Sequence, residues 1–96
     1  MVGIEEANAL WAAVRSALSD NDERRLWLAW KRAYRLRFWK VLEFTGPGQI
    51  CVRDGISHQE ILKRITRYEL SPDRDKAADE AELARDGVPP SDRFSI

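Results

Sequence analysis

Residues 24–44 read RRLWLAWKRAYRLRFWKVLEF, and this stretch decides the fold. Trp27, Trp30, Tyr34, Phe38 and Val41 recur at three- and four-residue spacing, the period of one helical face, with Leu26 and Ala33 on its flanks. Leu28, Leu36 and Trp39 fall on the opposite side, so the helix is apolar on more than one face. Such a helix is central in its fold or part of an interface. Between the apolar positions stand Arg24, Arg25, Lys31, Arg32, Arg35, Arg37 and Lys40, with no acid from Arg24 to Leu42. Late bases suit the helix dipole, and Gly46-Pro47 supplies a stop. The pattern predicts a helix over about 22–44. The alternative is a β-hairpin around 38–53, because Tyr34-Leu36-Phe38 and Leu42-Phe44 also alternate and Gly46-Pro47-Gly48 suits a turn into Gln49–Arg53.

Working outward, Ile4, Leu10 or Trp11, Val14 and Leu18 mark a first helix over 4–18, with Glu5 and Glu6 at its positive end. Asp20 with Glu23 fits an acidic capping arrangement for the next helix. Downstream, Asp54-Gly55 is a turn, and Ser57-His58-Gln59-Glu60 is a capping box that opens a helix over 57–70 with Ile61, Leu62, Ile65 and Tyr68 inward. Ser71 as cap and Pro72 at the first position predict a last helix over 72–86, ended by Gly87, with Ala77, Ala78, Ala81 and Leu83 or Ala84 as its apolar side. The expected architecture is all-α: four helices in one domain over 1–87, followed by an extended tail over 88–96. The hairpin would instead make it α+β.

Composition narrows the function classes. Ninety-six residues suffice for one domain at most. Lysine plus arginine and aspartate plus glutamate are both 16, a net charge of zero that excludes a histone-like polycation. By segment the zero dissolves: residues 1–23 carry one base and five acids, 24–68 eleven bases and three acids, and 69–96 four bases and eight acids. The simplest expectation is that acidic outer helices pack beside the basic middle and partly neutralise it. The lone Cys51 excludes an internal disulfide and a multi-cysteine zinc site and suits a reducing, cytoplasmic setting. The longest run without a polar residue, Ala9–Val14, is far short of the roughly 20 residues that span a bilayer, so no membrane role is expected.

Nothing in the sequence assembles a catalytic set. His58, the single histidine, sits at the first turn of a helix and reads as structural or solvent-facing. Cys51, between Ile50 and Val52, reads as a small buried hydrophobe rather than an activated thiolate. Asp75, Asp79 and Glu82 share a helical face that suits nearby bases better than a metal ion, and Gly46-Pro47-Gly48 lacks the Lys-Ser/Thr pair of a phosphate loop. No enzyme, metal or cofactor is expected.

Two binding roles remain. The first is a protein-binding module, such as the small inhibitors, adaptors or self-associating regulators that phages and mobile elements encode. Its surface would be Arg32, Arg35, Leu36, Trp39 and Lys40 on the central helix, since Trp and Arg are enriched at interface hot spots. Trp39, on the minor face, is expected outside, and Arg37, within the apolar stripe, is expected in a buried pair with an acid of the first or last helix. The second is a small DNA-binding regulator. Residues 47–67 have the cadence of a helix-turn-helix, with Cys51, Gly55, Ile56 and Ile61 at the marker positions and His58, Gln59, Lys63, Arg64 and Arg67 facing nucleic acid. Asp54 stands where that motif expects an apolar residue, and acids near the basic face would oppose phosphate, so protein contact ranks first.

Overall fold

A computed structural model of the chain describes residues 2–87; the expected tail over 88–96 lies outside them. The described residues form six helices and no strand: α1 (Ile4–Ser19), α2 (Glu23–Leu36), α3 (Phe38–Val41), α4 (Pro47–Arg53), α5 (His58–Glu69) and α6 (Lys76–Arg85). The all-helical class is as expected, but the helices number six rather than four, and the hairpin over 38–53 does not form. Pro47 takes the first position of α4, where a missing N–H costs nothing, and the Gln49 side chain accepts from the Thr45 backbone N–H at 2.7 Å.

α1 buries Ala7, Trp11, Val14 and Ala17, while Ile4 is exposed, so its inward stripe begins a turn later than expected. Asp22 rather than Asp20 caps α2, accepting from the Arg25 N–H at 3.1 Å; Asp20 pairs instead with the Arg25 guanidinium. α2 is the central element, packed on α1 along one side and α5 along another. Leu26 through Lys31 and Ala33 are all buried, which accounts for its having more than one apolar face.

The predicted helix over 22–44 breaks at Arg37, which adopts a left-handed conformation with φ 51° and ψ 41°. The reason is packing. The break redirects the chain after α2, so that Phe38 and Trp39, the first two residues of α3, are both buried at 0% and 5% exposure, with ring centroids 3.9 Å apart. Trp39 also meets Trp11 and Trp30 at 6.3 and 5.5 Å. Burying one such side chain stabilises by roughly 1.5–3 kcal/mol, which offsets about 1–2 kcal/mol for the left-handed arginine.

Asp54-Gly55 forms the expected turn, Gly55 at φ +69° taking a conformation that is free of strain only for glycine. Ser57 caps α5 as expected, its hydroxyl accepting from the Glu60 N–H at 3.2 Å. The last helix starts at Lys76 rather than at residue 72. Ser71-Pro72 remains a turn, and Asp75 is the cap that accepts from the Ala78 N–H at 3.0 Å. Its inward residues are Asp79 and Leu83, whereas Ala77, Ala78, Ala81 and Ala84 are exposed. Asp79 and Leu83, not an alanine stripe, attach α6 to the rest.

Candidate partner interface

The basic middle and acidic ends meet as ion pairs. Arg24 Nε lies 2.9 Å from Asp79 Oδ1, and its Nη2 lies 2.9 Å from Glu82 Oε2. Arg32 reaches Asp86 and Glu82. The buried Lys31 ammonium lies 3.3 Å from Glu69 Oε1, close enough for charge pairing but without an aligned hydrogen bond, and burial lowers its pKa. Asp79 is fully buried, and its Oδ2 accepts from Tyr68 Oη at 2.7 Å and Arg74 Nε at 3.0 Å. Burial first, then the bond to Asp79, pushes the Tyr68 hydroxyl up to about 12. Arg74 stacks over Trp27 at 4.5 Å. Acidic packing against the basic middle is therefore the observed arrangement.

The candidate surface is where cations left over from this neutralisation border a cleft. Arg37 and Lys40 are exposed, and neither has a carboxylate partner among the described residues. Both line a cleft of about 250 Å³ at the corner between α2 and α3, together with Tyr34, Trp39, Thr45, Gly46 and Pro47. The corner exists because the chain breaks at Arg37, so no helical periodicity foretells it. Arg37 was expected in a buried pair; it stands instead at the surface, since the left-handed turn removes it from the apolar stripe.

The expected protein-binding residues divide. Trp39 and Lys40 line the cleft, but Trp39 is core rather than exposed because of its contacts with Trp11, Trp30 and Phe38. Arg32 is drawn onto Asp86, away from a free role, and Arg35 and Leu36 are half-buried in the last turn of α2. Tyr34, Arg37 and Thr45 join the site unforeseen.

The expected nucleic-acid residues lie on α5, which follows α4 across the Asp54–Ser57 turn in helix-turn-helix order. Gln59 and Lys63 are exposed. Arg64 bonds Glu60 and Asn21 at 3.3 and 3.1 Å, and Arg67 bonds Glu23 at 2.8 Å, so both are held at the α1–α2 corner. His58 is half-buried, its ring 5.6 Å from that of Trp30, and with Gln59 it borders a second, open cleft lined by Glu43, Phe44, Gly48, Gln49 and Val52. Asp54, the anomaly in the motif, accepts from the Trp11 indole N–H and from Arg53 Nε at 2.7 Å. Its polarity serves the buried indole.

Cys51 is fully buried, and burial pushes its thiol up to about 11, the opposite of what a nucleophile needs. Asp75, Asp79 and Glu82 do not gather around one point: Asp75 caps α6 while the other two hold arginines, and the described residues contain no grouping of ligands suited to a metal ion. No described helix is long and apolar enough to cross a membrane. No known family, curated protein or solved structure matches this chain.

Proposed function

We propose that the protein is a small non-enzymatic protein-binding module that acts by occupying a partner, as an adaptor or inhibitor does. The observation that supports this is the distribution of charge. Cations along the body of α2 are engaged by the chain's own carboxylates, whereas Arg37 and Lys40 are left exposed beside an aromatic-walled cleft. Arginine beside tryptophan and tyrosine is the composition of interface hot spots. The contact surface is the α2–α3 corner rather than the length of α2, which its own fold covers. The packing roles of His58 and Cys51 fit a protein without catalysis, and a single buried thiol fits a reducing compartment such as the cytoplasm. Lysate pull-down with wild type and with the Arg37→Glu/Lys40→Glu double variant, alongside light scattering, tests the reading. The expected result is a discrete partner or a self-associated species. A strictly monomeric chain that captures nothing overturns it.

The second reading, a DNA-binding regulator, is favoured by the α4–turn–α5 pair: seven residues, a glycine turn and twelve capped residues. It ranks lower because Glu23 and Glu60 already hold Arg67 and Arg64 on that face. Duplex binding at low salt that collapses as salt rises and is lost in Lys63→Glu would promote it.

A further inference from the structure

Building on the protein-binding reading, we infer that the α2–α3 cleft receives an acidic peptide segment, its carboxylates over Arg37 and Lys40 and an adjacent aromatic or aliphatic side chain against Tyr34, Trp39 and Pro47. Three observations converge on this occupant. Two cations stand at the mouth, and neither forms an ion pair with a described residue, unlike every described cation on the body of α2 from Arg24 to Arg32. The walls are aromatic and proline surfaces of the kind that take an apolar side chain. The volume, about 250 Å³, is that of one or two side chains and falls below the usual range of roughly 300–1,000 Å³ for small-molecule pockets.

The backbone adds a fourth argument. Arg37 holds a left-handed conformation that costs a non-glycine residue about 1–2 kcal/mol, and its side chain returns no internal ion pair. Glycine or asparagine would make the same turn more cheaply. Arginine at this position keeps its guanidinium at the surface beside the cleft, where it can meet a group outside the fold. A carboxylate is the fitting partner because guanidinium accepts it in a planar, two-pronged geometry, and Lys40 adds a second charge within the same cleft. A nucleic-acid backbone fits less well. It needs cations spread over many phosphates, and Arg24, Arg25 and Arg32 of α2 and Arg64 and Arg67 of α5 are already paired with carboxylates.

The test is selection of a displayed random 12-residue peptide library on the full chain, followed by anisotropy titration of the enriched sequences. Enrichment of Asp or Glu beside an aromatic or aliphatic residue is expected. Affinity should fall by about tenfold or more in Arg37→Gln/Lys40→Gln, and similarly when the peptide acids become amides. Amide resonances of Lys40, Thr45 and Gly46 should shift on binding. Lys40→Gln alone, at an exposed position, keeps the test valid if the double variant unfolds. Absence of any enriched peptide, enrichment without acids, affinity unchanged by the variants, or a duplex DNA that occupies the same resonances more tightly would each overturn the inference. A lysate partner that the double variant still captures removes this cleft but leaves the protein-binding reading standing; a chain with no partner at all removes both.

Discussion

At Arg37 a backbone cost and a side-chain opportunity coincide. Arg37→Gly removes the left-handed penalty but adds freedom to the unfolded chain, so stability should stay level or rise by up to about 1 kcal/mol, whereas Arg37→Val should lose about 1 kcal/mol or more. Urea denaturation of the two variants checks this, and Arg37→Gly should at the same time lose the peptide affinity that wild type shows. Cys51 offers a contrasting case. With its side chain fully buried and its thiol raised to about 11, iodoacetamide labelling at pH 8 should run roughly a hundredfold or more slower than for a free cysteine. Labelling should become fast only in denaturant. Rapid labelling of the native protein would show that α4 opens locally.

At the scale of elements, the turn between α4 and α5 is tied to α1 by the bond from Trp11 to Asp54. The Arg53 hydrogen bond, and after it that of Trp11, holds the Asp54 carboxyl below the ordinary range despite the opposing effect of desolvation. The folded state thus binds the proton more weakly than the unfolded state. The contribution of Asp54 is complete above its unfolded pKa of about 3.9 and is lost as pH falls through the lower folded value. Thermal midpoints between pH 5 and pH 2 should fall with acid, and fall less in Asp54→Asn. The other indoles differ: those of Trp27 and Trp30 are buried with no acceptor among the described residues, each at a cost of about 1–3 kcal/mol. Periodicity made α1, the body of α2 and α5 legible because each has a one-residue-type rule behind it: spacing for the buried stripe, and Ser57 for the cap. It failed at Arg37, Pro47 and Asp75, where the outcome depends on which distant side chain each neighbour must reach. Phe38 and Trp39 are drawn to Trp11, and Arg74 to Asp79, and neither pairing is visible in local spacing.

For the whole molecule, Asp79 joins three separate parts of the chain: Arg24 of α2, Tyr68 of α5, and Arg74 just ahead of α6. Asp79→Ala leaves Arg74, only 3% exposed at its side chain, without its carboxylate, and breaking a buried pair from one side costs about 3–5 kcal/mol. Glu82→Ala should cost less than about 1 kcal/mol, because Glu82 is partly exposed and Arg24 retains Asp79. Chemical denaturation of both variants distinguishes a structural Asp79 from a merely solvated acid. The acidic–basic–acidic segmentation was readable as a pattern and correctly implied internal neutralisation. That Arg37 and Lys40 are among the residues left over was not readable, because which charges remain is decided by three-dimensional pairing and not by segment totals.

That internal pairing also sets the terms on which any partner must compete. A charged ligand arriving at the body of α2 meets cations that already have intramolecular carboxylates at high local concentration, so it gains little by displacing them. At the α2–α3 corner there is no such incumbent. The fold therefore acts as a filter on its own chemistry, converting a long cationic sequence into a short addressable patch, with selectivity arising from what the acidic helices leave uncovered.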